Sequence, residues 1–229
     1  MGLMLLLFDI DGTLLLRASE PHRSALLDAL ASVYGLADAP IHRVAAAGRT
    51  DTQIARAIAL ACGLDRESFD ALLSDFRAAC AEAFARSCPP SLAAYVAPGI
   101  RELLDAVANQ ANTHLSLLTG NYEPVARLKL ARAEIAEYFA AGQGAFGSDA
   151  ELRDDLGPIA RARAGRDGIP YPRERTTVIG DTPLDIACAR ADGLRVIAIA
   201  TGPHPADELV SADQVVADAY ELRALLKSW

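Results

Sequence analysis

The chain has 229 residues, 52% of them hydrophobic and 23% charged, a globular rather than a disordered composition. That length suits one large domain, or a core with a smaller insert. The formal net charge of −8 and the isoelectric point near 5.0 exclude a broadly basic surface for nucleic acid or an anionic membrane.

The N-terminal run Met1 to Phe8 is apolar, but it is too short to span a membrane and lacks the basic flank of a signal peptide. Gly2 is followed at position 6 by Leu6, where a myristoylation signal needs Ser or Thr. The run reads as a buried strand over Met4–Phe8. Further strands are expected at His114–Leu118, Thr176–Ile179, Arg195–Ile199 and Gln214–Val216, each apolar or β-branched. Helical patterns lie between them at Ile100–Ala108, Pro124–Ala133, Pro158–Ala164, Pro183–Ala191 and Ala219–Lys227. Such alternation predicts a Rossmann-like α/β fold, a parallel sheet with helices on both faces. Residues 17–91 break the rhythm. They carry only helical sequence, such as His22–Tyr34, Thr50–Ala61 and Arg66–Arg86, and close on Ser87-Cys88-Pro89-Pro90-Ser91, a turn no helix would cross. They read as a helical insert, with residues 1–16 and 92–229 forming the core. Cys62, Cys80, Cys88 and Cys188 show no CxxC spacing and read as free thiols of a reducing, cytoplasmic setting.

Three strand ends carry polar residues suited to chemistry. The first reads Phe8-Asp9-Ile10-Asp11-Gly12-Thr13. Ligands of open α/β sheets bind at the carboxyl ends of strands. Asp9 there can attack phosphorus, Asp11 can hand a proton to the leaving oxygen and take one from water, and Gly12 lets the backbone turn against the ligand. An Asp-Gly turn closing a strand is the plainer alternative. The second, Thr119-Gly120-Asn121, offers a hydroxyl and amides for phosphoryl oxygens, and equally describes a strand-to-helix turn. The third reads Gly180-Asp181-Thr182-Pro183-Leu184-Asp185. Asp181 offers an oxygen for Mg²⁺ opposite Asp9, and Asp185, one helical turn on, can face the same pocket or orient the loop.

In this order the three stretches resemble the haloacid dehalogenase superfamily of phosphatases, in its phosphoglycolate phosphatase-like group. The resemblance covers roughly residues 1–16 and 92–229, and the insert is similar to that group's helical cap. It implies Asp9 as nucleophile, Asp11 as acid/base, Thr119 as phosphate hydroxyl, and Mg²⁺ on Asp9, Asp181 and the Asp11 main-chain carbonyl. It implies a small soluble phosphate ester as substrate, such as phosphoglycolate or a sugar phosphate.

Family members also use a cation, usually Lys, to balance the nucleophile and the phosphoryl charge. The region where it commonly falls, Ser148 to Pro158, has no lysine. The chain holds two lysines, Lys129 and Lys227. Lys129, on the helix after Thr119-Gly120-Asn121, is the expected cation, with Arg153 as the second choice. No lysine precedes Lys129, which closes the Schiff-base chemistry of phosphonate-cleaving relatives. Asp11 with Gly12-Thr13 points to phosphoryl transfer and away from dehalogenation. In the insert, Ala47-Gly48-Arg49-Thr50-Asp51 forms a turn whose Arg49 can read an anionic leaving group, with Arg17 and His22 as weaker readers. A phosphosugar mutase shares all these motifs, whereas a binding module needs no paired acid/base carboxylate. A Rossmann cofactor binder fails for want of G-x-G-x-x-G after the first strand.

Overall fold

The computed structural model describes residues 4–37, 39 and 44–227, so Met1–Leu3 of the apolar N-terminal run lie outside the described residues. Six strands, β1 (Met4–Phe8), β2 (Thr113–Thr119), β3 (Ala145–Phe146), β4 (Thr176–Gly180), β5 (Arg195–Ile199) and β6 (Gln214–Val216), form one sheet in the order β3-β2-β1-β4-β5-β6. Every pairing is parallel. The chain winds outward from β1 to β3, then returns to the other side of β1 as β4. That reversal opens a crevice at the carboxyl ends of β1 and β4, where such sheets take ligands.

The apolar runs form strands because both faces of the sheet are covered. Successive β1 side chains point to opposite faces. Leu6 and Phe8 join one cluster with Leu103 and Val107 of α5 (Ile100–Ala108), Val125 of α6 (Glu123–Arg132) and Leu222 of α9 (Ala219–Leu226). Leu5 and Leu7 join the other, with Leu156 of α7 (Leu156–Ala164) and Ile186 of α8 (Pro183–Ala191).

Between β1 and α5 lie four helices, α1 (Glu20–Tyr34), α2 (Asp51–Ala61), α3 (Arg66–Ala71) and α4 (Leu73–Ser87), and no strand among the described residues. The helix expected over Arg66–Arg86 is two helices, broken where Leu72 leaves the helical region (φ −114°, ψ 12°). No Gly or Pro marks that break. Tyr34 stacks on Phe69 at 5.1 Å, and Phe76 meets Tyr122 edge-on at 6.4 Å. The aromatic centre of these helices thus rests on Tyr122, just past β2. The chain leaves and re-enters the sheet region along adjacent segments, with Leu16 N donating to Tyr95 O (2.8 Å) and Ala97 N to Leu14 O (3.0 Å).

Candidate active site

Asp9 follows β1 directly, and its amide continues the pairing by donating to Ile179 O at 2.9 Å. Asp9 and Asp181, which follows β4, therefore emerge side by side. Both are buried. Thr13 Oγ1 donates to Asp181 Oδ1 at 3.0 Å, whereas Asp181 Oδ2 is buried without a partner. A Cβ on Gly12 would sit 2.1 Å from that oxygen, and one on Gly202 1.7 Å from it. Gly12 has a φ of +90°, open to glycine at little cost, and its carbonyl accepts from Thr201 Oγ1 at 2.7 Å. The backbone is thus packed closely around one free carboxylate oxygen.

Oxygens of Asp9, Asp181 and Asp185 lie within 4.8 Å of one another. Burial pushes the Asp9 carboxyl up to about 6, with the charges of Asp185 and Asp11 adding to it and Arg153 opposing. Burial also pushes Asp181 up to about 9, helped by Asp185 and Asp9. Crowded carboxyls that resist ionising together, and an orphaned oxygen among them, fit a hard divalent cation, which takes oxygen donors. Asp185 has less to give. Its Oδ2 accepts from Thr182 N (3.0 Å) and Thr182 Oγ1 (2.7 Å), its Oδ1 from Arg153 Nη2. It caps α8 and anchors Arg153, the loop-orienting alternative expected from its spacing.

The two candidate cations divide between the two acids of the first motif. Arg153 Nη2 lies 3.2 Å from Asp9 Oδ1. Lys129 Nζ lies 2.5 Å from Asp11 Oδ2 and donates to Asn121 Oδ1 at 2.7 Å. The cation beside Asp9 is thus Arg153, the second choice of the sequence, whereas Lys129, the first choice, sits against Asp11. The short helical turn Arg153–Asp155 before α7 aims the guanidinium at the crevice, while Lys129, in the second turn of α6, reaches only the far carboxylate. Burial works to raise the Asp11 carboxyl, but the charge and hydrogen bond of Lys129, with the Asn121 amide, outweigh it and hold the group below the usual range.

Asn121 Nδ2 donates to Asp11 Oδ2 (2.9 Å) and to Thr119 Oγ1 (3.0 Å), so its side chain is committed to Asp11 and does not stand free for phosphate. Thr119 Oγ1 only accepts in these contacts, which leaves its hydrogen to give. Gly120 and Asn121 line the cavity, while Thr119 is fully buried beside them.

The turn before α2 is fastened over the crevice. Gly48 O accepts from Arg153 Nη1 (3.0 Å), Thr50 Oγ1 donates to Glu151 O (2.6 Å), and Asp51 N donates to Gly120 O (2.9 Å). Arg56 grips Glu151 through Nε (2.6 Å) and Nη2 (2.7 Å). Beneath the turn is a cavity of about 800 Å³ that reaches Asp9, Asp11 and Asp181. Arg17, Arg23 and Arg49 line it without any side-chain hydrogen bond or ion pair among the described residues, and Leu16, Leu26 and Ile54 add apolar wall. His22, expected as a weak substrate reader, also lines the cavity; it is largely buried there and contacts Asp51 and Lys129. Sequence reasoning passed over Glu151, Arg56 and Tyr122, which carry no motif signal and matter only through contacts across the turn.

No described helix is long and apolar enough to cross a membrane. A curated relative, a probable phosphatase IndB from Dickeya dadantii (strain 3937), is 29% identical over 133 residues, which span 57% of this chain and 55% of that protein. Among solved structures, a predicted phosphatase from Clostridium acetobutylicum shares the fold with a TM-score of 0.70 at 18% identity, covering 100% of both chains. CbbY from Rhodobacter sphaeroides, solved in complex with xylulose-1,5-bisphosphate, gives 0.67 at 21% identity over 96% of each chain. The family profile of the haloacid dehalogenase-like hydrolases matches residues 6–190, spanning β1, the helical insert and the Asp181 loop, and the chain belongs to that family.

Proposed function

We propose that this protein is a Mg²⁺-dependent phosphatase that hydrolyses a small phosphomonoester through an aspartyl-phosphate on Asp9. The carrying observation is a buried carboxylate at the end of the central strand, between the Arg153 guanidinium (3.2 Å) and the Asp181 carboxylate, with a second carboxylate two residues on. Bound Mg²⁺ would be held by Asp9, Asp181 and the Asp11 main-chain carbonyl, and supplies positive charge for the phosphoryl oxygens.

In the first step an Asp9 oxygen bonds to phosphorus as the ester P–O bond breaks, and Asp11 gives the leaving oxygen its proton. In the second, Asp11 takes a proton from water as that water's oxygen bonds to phosphorus, and Asp9 is released with inorganic phosphate. Asp11 Oδ2 is occupied by Lys129 and Asn121, so Oδ1, which has no partner, is the edge that carries the proton. A phosphate dianion arriving beside Asp11 raises its proton affinity for the first step. Arg153 offsets the charge of Asp9, and the Thr119 hydroxyl and the amides of Gly120 and Asn121 are proposed phosphoryl donors.

Helices α1–α4 act in this reading as a cap over the crevice that keeps water from the intermediate. Three arginines on the cavity, unpaired among the described residues of a chain with net charge −8, favour a leaving group that carries a further negative charge, with Arg49 as its reader. Phosphorylated carboxylates such as phosphoglycolate and phosphorylated sugars fit that description. Four free cysteines accord with a reducing, cytoplasmic setting.

The test is phosphate release from a panel of esters, with Mg²⁺ and with EDTA. Metal-dependent release, with esters bearing a second anion preferred and that preference reduced in Arg49→Ala, is the expected result. Release that survives EDTA, or a panel left wholly intact, contradicts the proposal.

A further inference from the structure

The loop after β5 has no part in the two chemical steps, yet it closes one wall of the acidic cluster. Thr201, Gly202 and Pro203 line the cavity that reaches Asp9 and Asp181. β5 pairs with β4 as far as Ala198 opposite Gly180, so the β5 loop and the Asp181 loop leave the sheet side by side. Ala200 N donates to Val216 O at 2.9 Å, which ties the start of the loop to β6.

Gly12 is where this loop meets the first motif. Its amide donates to Leu15 O at 2.8 Å, and its carbonyl accepts from Thr201 Oγ1 at 2.7 Å. Both peptide planes beside Gly12 are therefore held. In a planar trans peptide the carbonyl points away from the amide hydrogen. With the Gly12 N–H turned to Leu15, the Asp11 carbonyl points the other way, and among the described residues no hydrogen bond reaches its oxygen. A glycine at φ +90° gives the turn little stiffness of its own. On the far side of the Gly12–Thr13 peptide, Thr13 N reaches Ile10 O only at 3.3 Å, so the Thr201 hydroxyl is the shorter of its two restraints.

Gly202 faces the other arm of the cluster. A Cβ there would lie 1.7 Å from Asp181 Oδ2 and 2.5 Å from Asp181 Cγ. Asp181 is fully buried and Thr13 holds its Oδ1, so the carboxylate cannot swing aside without giving up that bond. Gly202 is not in the left-handed region, so its glycine answers to this contact and not to the backbone.

We infer that Thr201 and Gly202 are positioning residues for the divalent cation: the Thr201 hydroxyl holds the turn that presents the Asp11 carbonyl, and the bare Cα of Gly202 leaves room for Asp181 Oδ2. One loop thus sets both arms of the cluster. The inference rests on the ligand set of the phosphatase reading above. Neither Thr201 nor Gly202 is a metal ligand or touches a reacting atom in this scheme. Groups that orient metal ligands in this way are worth about 10–100-fold in metal affinity.

Metal affinity without substrate separates positioning from plain structural support. Thr201→Val keeps the shape and loses the hydroxyl, Thr201→Ser keeps the hydroxyl, and Gly202→Ala presses on Asp181. The measurement is the Kd for MgCl2 in the absence of ester, read for the wild type and the three variants from the rise of the unfolding midpoint with metal concentration. Thr201→Val and Gly202→Ala are each expected to weaken Mg²⁺ binding about tenfold or more, while Thr201→Ser stays within about threefold of the wild type. A smaller loss in Thr201→Val or Gly202→Ala, or a Ser variant that binds no better than the Val variant, overturns the inference while the phosphatase reading stands. A metal-free midpoint that falls with an unchanged Kd is what plain structural support gives, and it overturns the inference too. A wild type whose midpoint does not respond to MgCl2 overturns the Mg²⁺-dependent reading and the inference with it.

Discussion

At the scale of single residues, Arg153 ties two acids and the turn before α2 together. Its one guanidinium serves Asp9, Asp185 and the Gly48 carbonyl, and its side chain is 4% exposed. Burial alone would favour its neutral form, yet Asp185 and Asp9 hold it firmly charged. Removing such a group strands two buried carboxylates, and breaking a buried pair from one side costs about 3–5 kcal/mol. Arg153→Ala is therefore expected to lose about that much unfolding free energy in urea, along with its activity, and Arg153→Lys to recover only part, since an ammonium has no fork to hold both acids. A loss below about 1 kcal/mol would contradict the role given to this guanidinium. The contacts place Arg153, and not Lys129, beside Asp9, the reverse of what lysine scarcity suggests from the sequence. No spacing rule could have chosen, because the choice depends on which carboxylate each cation faces across the sheet.

Among the elements, the turn before α2 decides whether the crevice is covered. It sits on Gly120 so closely that an added Cβ would lie 2.2 Å from Arg49 O. The Gly120 backbone is not in the left-handed region, so alanine there is a steric wedge and not a backbone fault. Gly120→Ala should lift the turn, raise hydrogen exchange in α2 and lower kcat/KM at least about tenfold, with the unfolding midpoint nearly unchanged. Unaltered exchange in α2 together with unaltered kcat/KM would show that the contact does not govern closure. The elements were legible where burial is two-sided. β1, β5 and β6 carry their own signal, and α5 and α8 match their sequence limits. β3 escaped because two residues show no period, and the break at Leu72 because Ala- and Leu-rich sequence continues through it.

For the molecule as a whole, the acids were legible and their wiring was not. Asp9, Asp11 and Asp181 follow from strand ends and spacing, since a parallel sheet delivers its carboxyl ends to one edge. The His22–Lys129 contact joins residues 107 apart and leaves no local trace. The same holds for the Arg56–Glu151 grip, which joins residues 95 apart across the crevice. In the proposed reaction Asp9 itself receives the phosphoryl group. The most direct measurement is rapid quenching of the enzyme during turnover with Mg²⁺, followed by peptide mass mapping. One phosphoryl group is expected on Asp9, absent from the Asp9→Asn variant, which releases no phosphate. Steady phosphate release with no phosphoryl group trapped on Asp9, or an Asp9→Asn variant that turns over at the wild-type rate, would contradict it.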